Sequence, residues 1–185
     1  MKNSKSPNNK QSIKKIILVG LDNSGKTSIL LSLTRNSNLL SYYSLKPTAG
    51  LNIVNYNDSD TVFNIWDFGG QEQYRKEYMK KFDQYLDADK IIFVIDIQDT
   101  ERYNLALNYL SEIVNLLQQK NLRIDFSIFL HKFDPSLERQ VNFSDERIQN
   151  TLISKIQKIF PPNYPIEVFK TTIYTVFQKK PMLKG

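Results

Sequence analysis

The apolar positions of the chain follow two patterns, one typical of strands and one typical of helices. Apolar or alternating runs predict six strands, at 13–19, 51–56, 61–67, 90–96, 125–131 and 166–171. The polar segment 57–60 separates the second and third runs and predicts a hairpin. Helical spacing predicts helices from Lys26 to about Asn36, Glu72 to about Leu86, Glu101 to Lys120, 144 to 160 and about Ile173 to Lys179. This alternation predicts a three-layer α/β fold: a mostly parallel six-stranded sheet, one antiparallel hairpin strand and helices on both faces.

Composition is that of an ordinary globular domain. Of 185 residues, 41% are hydrophobic and 24% are charged, which is enough to bury a sizeable core. The sequence has no run of 18 apolar residues and no export signal at its polar start, so we expect a cytoplasmic protein. It has no cysteine, which excludes disulfides and thiolate metal sites.

The positive charge is concentrated at the two ends of the chain. Eight lysines lie there without any acid among them: Lys2, Lys5, Lys10, Lys14, Lys15, Lys179, Lys180 and Lys184. The net charge is +6, so the middle of the chain carries about −2. We therefore expect a flexible basic segment at 1–12, a folded domain at 13–180 and a short basic tail at 181–185, with no nucleic-acid face. Weak attraction of the basic ends to an anionic membrane surface is the alternative.

The segment Gly20–Thr27, with the sequence GLDNSGKT, lies between a predicted buried strand and a predicted helix. In this context the spacing G-x-x-x-x-G-K-T indicates a phosphate-binding loop. Its glycines let backbone N–H groups turn inward toward phosphate oxygens. Lys26 would place a positive charge near the β- and γ-phosphates, and the Thr27 hydroxyl would bind Mg²⁺. The helix N-terminus favours the same anion.

A second motif, WDFGGQ, closes the predicted strand at 61–67. Asp67 would lie beside the phosphate loop and hold a metal-bound water. Gly70 would bring a backbone N–H to the γ-phosphate, and Gln71 would orient an attacking water.

A third motif, HKFD, follows the predicted strand at 125–131. The carboxylate of Asp134 can accept the ring and exocyclic N–H groups of guanine, which adenine does not match. The stem of Lys132 can lie over the base while its ammonium braces the phosphate loop. His131 is the sole histidine and has no carboxylate or thiol cluster around it in the sequence, so we do not expect a metal ligand or general base there.

Together these motifs resemble a known family. GLDNSGKT, PTAG (47–50) and WDFGGQ are similar, in this order, to motifs of the Arf/Sar branch of the Ras-like small GTPases. HKFD departs from the Asn-Lys-x-Asp of that branch and resembles the HKxD of Rag GTPases, as does the segment 169–173. The resemblance covers about residues 13–178. It implies the P-loop NTPase (Ras-like) fold and a molecular switch that binds GTP or GDP with Mg²⁺ and slowly hydrolyses GTP.

The resemblance also implies roles for individual residues. The phosphates would be bound by Asp22, Asn23, Ser24, Gly25, Lys26, Thr27, Ser28 and Gly70. The metal ligands would be Thr27, Thr48 and Asp67, with Thr48 engaged only when the γ-phosphate is present. Lys26, Thr48 and Gln71 would act in hydrolysis. The base would be contacted by His131, Lys132, Asp134, Thr172 and Ile173. Segments 40–50 and 69–80 would be two switches, ordered with GTP and released after hydrolysis.

The implied partners are an effector, an exchange factor and a GTPase-activating protein. No arginine lies in the predicted first switch, because Arg35 falls in the helix before it and Arg75 in the second switch. Without such an arginine, hydrolysis is expected to be slow until a partner supplies one. Aromatic residues near the switches would form either the effector face or part of the core: Tyr42, Tyr43, Phe68, Tyr74 and Tyr78.

Two other interpretations stay open. A nucleotide-locked interaction module or scaffold subunit, such as a partner in a Rag-like heterodimer, would bind nucleotide with little turnover. The presence of Thr27, Thr48, Asp67 and Gln71 argues against it. An ATP-dependent P-loop enzyme is the second alternative, and Asp134 is the feature that disfavours it. A homodimer or a heterodimer is compatible with each interpretation.

Overall fold

The computed structural model describes residues 11–33 and 39–174. Six strands form one sheet: β1 (Ser12–Gly20), β2 (Leu51–Asp58), β3 (Thr61–Phe68), β4 (Lys90–Asp96), β5 (Asp125–His131) and β6 (Ile166–Lys170). Their order across the sheet is β2-β3-β1-β4-β5-β6. β2 and β3 pair antiparallel as the predicted hairpin, and the other pairings are parallel. The predicted fold class is confirmed.

In the described part of the chain, six α-helical segments accompany the sheet: α1 (Lys26–Ser32), α2 (Leu39–Tyr43), α3 (Glu72–Lys80), α4 (Tyr103–Gln119), α5 (Asp145–Ile148) and α6 (Ser154–Ile159). A π-helical turn, Gln149–Ile153, joins α5 to α6, so the predicted helix at 144–160 is present with one widened turn. It begins where predicted, because the Ser144 hydroxyl accepts a hydrogen bond from the Arg147 N–H. None of the helices in the described part of the chain is long and apolar enough to cross a membrane.

Three predicted helices differ from the observed ones. The helix expected to reach Leu86 ends at Lys80, and a 3-10 turn follows at Phe82–Tyr85, which buries the Phe82 ring in the core. The short helix α2 was not predicted. Ile173 and Tyr174 are not helical, and 175–179 lie outside the described residues. The helix expected to reach about Asn36 ends at Ser32, and Arg35 and Asn36 lie outside the described residues.

The two faces of the sheet are covered differently. On one face, Ile17, Phe93 and Ile128 pack in a large core with side chains of α3, α4 and the α5–α6 segment. On the other face, a smaller cluster joins Leu18 and Val94 to Leu30 of α1.

Buried polar and charged side chains are concentrated at one edge of the sheet. Within the described residues six polar or charged side chains are buried, and five of them follow or end a strand at its carboxyl end: Ser24, Lys26, Asp67, Asp96 and His131. The strand register places Leu18 beside Asp67 and Asp96 beside His131. The strand order reverses around β1, and ligands bind at such a point in open α/β sheets.

Two of the lysines near the N-terminus lie in the first strand and form ion pairs there. Lys14 lies in β1 with its Nζ 3.3 Å from Asp89 Oδ1, and the neighbouring Lys15 pairs with Asp87. These two lysines therefore belong to the sheet, whereas 1–10 and 175–185 lie outside the described residues. The predicted domain limits stay a prediction.

Candidate nucleotide-binding site

A cavity of about 400 Å³ opens where β1 meets α1. Its lining includes eight of the residues predicted to bind phosphate or metal: Asp22, Asn23, Gly25, Lys26, Thr27, Ser28, Thr48 and Gly70. Gln71 lines it too. Ser24 does not, because its hydroxyl is buried and donates to the Leu21 carbonyl at 2.9 Å. Leu45, Lys46 and Pro47 were missed as lining residues, although their position just before Thr48 could have indicated them.

Lys26 is the buried cation of the phosphate loop. Its Nζ donates to the carbonyls of Gly20 at 3.1 Å and Leu21 at 2.6 Å, and only 5% of the residue is exposed. Burial lowers the pKa of Lys26 to about 8, against the attraction of the Asp67 and Asp22 carboxylates. An anion in the cavity would raise the pKa of Lys26 again.

The three predicted metal ligands meet beside the cavity, because Thr27 and Thr48 line it and Asp67 lies buried behind them. The Thr27 hydroxyl donates to Asp67 Oδ2 at 2.8 Å, and the Thr48 hydroxyl donates to the same oxygen at 3.2 Å. The two hydroxyl oxygens are 2.8 Å apart. Asp67 is fully buried, and its Oδ1 has no hydrogen-bond partner among the described residues. Burial raises the pKa of Asp67, although the Thr27 hydrogen bond and the charge of Lys26 oppose the shift.

The two glycines of the WDFGGQ motif pack against the phosphate loop and against the first predicted switch segment. A Cβ on Gly70 would lie 2.2 Å from the backbone nitrogen of Asp22, so only glycine lets this backbone approach the phosphate loop. The Gly69 N–H donates to the Gly50 carbonyl at 2.9 Å and so joins the two predicted switch segments. The side chain of Gln71 makes a weak contact, with its Oε1 3.4 Å from Gln73 Nε2.

A second cavity of about 220 Å³ adjoins the first. The two share Gly25 and Ser28, and the second is completed by Tyr42, His131, Lys132, Asp134 and Ile173. The predicted base-contacting residues therefore come together, and Tyr42 is added to them.

Asp134 is held by residues that are distant in the sequence. Its Oδ1 accepts from the Thr172 hydroxyl at 2.6 Å, and its Oδ2 accepts from Gln98 Nε2 at 3.1 Å. Each carboxylate oxygen can accept more than one hydrogen bond, so both keep capacity for a ligand. The ammonium of Lys132 is directed to Asp96 Oδ2 at 2.6 Å rather than to the phosphate loop.

His131 lines the second cavity and packs against Gly25, which lines both. Its Nδ1 lies 2.9 Å from Thr171 Oγ1, and a Cβ on Gly25 would lie 2.4 Å from its Cδ2. Gly25 has φ +92°, so glycine is required here for backbone conformation as well as for space. Burial and the neighbouring charge of Lys132 lower the pKa of His131, which keeps the ring neutral at physiological pH. The imidazole therefore supports the phosphate loop by packing.

The last residue of β4 and the segment after it were missed by the sequence interpretation. Asp96 binds Lys132, Gln98 binds Asp134, and Arg102 binds Asp22 with its Nη1 3.1 Å from Oδ1. Asp96 carried a usable signal, because it ends a buried strand just as Asp67 does. Gln98 and Arg102 carried none, since a polar loop is the ordinary context for both.

The aromatic residues near the switches divide between surface and core. Phe68 and Tyr78 are buried and pack edge to face with ring centroids 4.7 Å apart, so they belong to the core. Tyr43 is 80% exposed, and Tyr42 and Tyr74 are half-buried. Of the five, Tyr43 alone is largely available to a partner.

A family model and a solved structure of a known protein match most of this chain. A family model described as "Gtr1/RagA G protein conserved region" matches residues 15–178. A solved structure of the Arl6 BBS3 small GTPase from Trypanosoma brucei, with the bound nucleotide analogue GppNp, superposes with a TM-score of 0.64. The match covers 87% of each chain at 20% sequence identity, and this likeness shows the fold.

The relatives by sequence are Arf-like. ADP-ribosylation factor-like protein 5 of Caenorhabditis elegans is 41% identical over 108 residues, which cover 58% of this chain and 55% of that protein. ADP-ribosylation factor-like protein 3 of Chlamydomonas reinhardtii is 33% identical over 120 residues, which cover 65% and 63%. The chain thus spans about three fifths of the length of these relatives.

Fold, motifs and comparisons define a G protein of the small-GTPase class. Because the family model covers most of the chain, the chain belongs to the Gtr1/RagA G-protein family. The predicted combination of Arf-like and Rag-like features is confirmed.

Proposed function

We propose that this chain is a molecular switch that binds GTP or GDP with Mg²⁺ and slowly hydrolyses GTP to GDP and phosphate. The observation that carries the proposal is the pair of adjoining cavities that share Gly25 and Ser28. A nucleotide would span both, with its phosphates around Lys26 and its base beside Asp134. The Asp134 carboxylate favours guanine, because guanine presents two N–H donors to it.

The oxygen atoms of Thr27, Thr48 and Asp67 fit Mg²⁺. This ion takes oxygen ligands and keeps several waters, so phosphate oxygens and water would complete its shell. No cluster of three or more His, Cys, Asp or Glu that could hold a metal occurs in residues 11–33 and 39–174. The buried Oδ1 of Asp67 has no partner there, and a metal-bound water would satisfy it. When bound, the ion would neutralise charge that develops on the phosphates.

Gln71 would orient the attacking water. The water oxygen forms a bond to the γ-phosphorus, the bond to the β–γ bridging oxygen breaks, and the water proton ends on the released phosphate. To act, the Gln71 amide must exchange its contact with Gln73 for the water. Among the described residues no arginine lines the phosphate cavity, and Arg75 donates instead to the Gly70 carbonyl at 2.9 Å. An arginine from an activating protein would therefore add about 10³–10⁵ in rate.

The contacts of Thr48 and Gly69 support a switch. The Thr48 hydroxyl donates to Asp67, and the Gly69 N–H donates to the Gly50 carbonyl. Because these contacts join the two segments, loss of the γ-phosphate would release 40–50 and 69–80 together. The exposed side chains of Leu40 and Tyr43 lie on the first segment. We propose this surface for the effector, with an exchange factor and an activating protein as regulators.

The charge distribution supports a proposal for location. We expect a cytoplasmic protein whose basic ends make weak contact with an anionic membrane surface. A homodimer or heterodimer, as in the Rag-like alternative, is compatible with this location.

The test is a single-turnover assay with Mg²⁺ and GTP, preceded by chromatographic identification of the nucleotide that copurifies. We expect guanine nucleotide and slow phosphate release that is lost in Gln71→Leu. Gln84→Leu is the matched control, because this exposed glutamine does not line the cavity. Equal hydrolysis by Gln71→Leu and wild type would reject the role of Gln71. Tight guanine nucleotide without any phosphate release would favour the nucleotide-locked scaffold subunit.

A further inference from the structure

The phosphate loop carries an acid that does not suit an anion site. Asp22 lines the phosphate cavity, and its side chain is 43% exposed. Its backbone nitrogen is the atom that a Cβ on Gly70 would meet at 2.2 Å. Gly70 is the residue that the proposed function places at the γ-phosphate, so Asp22 lies near that group. A free carboxylate there would repel the γ-phosphate.

Arg102 holds this acid from outside the loop. It ends the 3-10 turn Thr100–Arg102 that leads into α4. Its Nη1 donates to Asp22 Oδ1 at 3.1 Å, and its Nη2 donates to the Asp22 backbone carbonyl at 3.3 Å. Its Nε donates to Asp99 Oδ2 at 2.6 Å, so Asp99 fixes the guanidinium plane. One arginine thereby neutralises the carboxylate and fixes the backbone of the same residue.

We propose that Arg102 is a positioning residue that sets the preference for a nucleoside triphosphate over a diphosphate. It does so by holding the Asp22 carboxylate on the α4 side of the phosphate loop, away from the γ-phosphate. The inference rests on the proposed function of the site. Its consequence is specific: without Arg102 the acid is free to face the cavity, and the ligand with the additional phosphate loses more affinity than the ligand without it.

The experiment measures dissociation constants of GDP and the analogue GppNp for wild type, Arg102→Ala, Asp22→Asn and the double variant. Arg102→Ala is expected to lower the GppNp/GDP affinity ratio by about 5-fold, the upper range for a partly exposed ion pair. In the double variant the ratio is expected to return toward that of wild type, because no charge is left to repel the phosphate. Arg139→Ala, which removes an exposed arginine that lines neither cavity, is the control for charge.

The outcomes separate the inference from the proposed function. Equal losses for GppNp and GDP, or no rescue by Asp22→Asn, would show a merely structural role and overturn the inference alone. Absence of guanine-nucleotide binding by wild type would reject the proposed function and this inference with it. If Arg102→Ala does not fold, Asp22→Asn still decides: the inference expects the GppNp/GDP ratio to rise, and a fall would overturn it.

Discussion

The phosphate end and the base end of the site are built from different parts of the chain. At the phosphate end, half of the lining residues come from the single segment 22–28, and Lys26 binds carbonyls of its own loop. At the base end, Asp134 is held by Gln98 and Thr172, which are 36 and 38 residues away in the sequence. The loop around Lys26 is therefore organised locally, whereas the carboxylate of Asp134 is held by tertiary contacts.

The two ends of the site also differ in how closely their motifs match the family pattern. The phosphate-loop motif matches its family pattern, and a short loop with glycines can direct its own N–H groups. The base motif has His131 in place of asparagine, and its ring packs against Gly25. The bonds from the segment after β4 then tie Lys132 and Asp134 in place. We expect single substitutions to act strongly at the phosphate end and in smaller steps at the base end.

The largest effect is expected from Lys26→Met. Loss of about two hydrogen bonds to charged phosphates would weaken both GDP and GTP binding roughly 10³-fold. Equilibrium dialysis measures this loss, and circular dichroism checks the fold. Because the variant removes a buried charge, its melting temperature should not fall. Binding within about 3-fold of wild type would contradict the role of Lys26.

Asp134→Asn should weaken the binding of guanine and change which base the site prefers. Two charged hydrogen bonds to guanine are lost, so affinity for GDP should fall by roughly 10²-fold or more. Xanthosine diphosphate, which presents an oxygen where guanine has its amino group, should bind the variant better than GDP does. Competition binding with both ligands checks the prediction. An unchanged preference for GDP would mean that the base lies elsewhere.

Gln98→Ala sharpens the comparison, because it removes a support of Asp134 that touches no predicted ligand atom. Gln98 Nε2 donates both to Asp134 and to the Lys132 carbonyl, and loss of the bond to Asp134, about 1 kcal/mol, corresponds to about 5-fold weaker binding of guanine nucleotide. Gln118→Ala, an exposed glutamine on α4, is the matched control. If both variants bind GDP equally well, the carboxylate of Asp134 does not depend on Gln98.

The smallest expected effect is proton uptake at the phosphate end. The folded-state pKa of Lys26 is about 8, below its ordinary value of 10.5. In the nucleotide-free protein this group therefore contributes stability at high pH, which is lost as the pH falls through about 8. Bound phosphate would raise the pKa again, so binding above pH 8 should take up part of a proton. Calorimetry in buffers of different ionisation enthalpy measures the uptake, and Lys26→Met should abolish it.

Much of the fold could be predicted because its signals are local. The buried strands Lys90–Asp96 and Asp125–His131 read as continuous apolar runs, and NDSD marked the hairpin. Boundaries failed where packing overrode helix propensity. The helix after Glu72 stops at Lys80 because the following turn buries Phe82, and no pattern in the sequence gives that change of direction.

The residues of the candidate site also fall into two groups, those with a local signal in the sequence and those without one. Lys26, Thr27 and Asp67 could be predicted because their spacing within motifs reflects backbone geometry. Gln98 and Arg102 could not, because their roles depend on which loop α4 approaches. Phe68 and Tyr78 show the same limit, since an aromatic residue beside a motif suits the surface or the core equally well, and both lie in the core.

The sequence by itself determined the α/β class, the phosphate loop and the carboxylates at the strand ends, because each depends on residues that are neighbours in the chain. The tertiary structure alone decided how Asp22 and Asp134 are held and that His131 packs against Gly25. Those contacts join segments dozens of residues apart, and their distances are set by the parallel register of β4 and β5 and by the packing of α4 on the sheet. Spacing along a chain carries no information about such distances until the strands are paired.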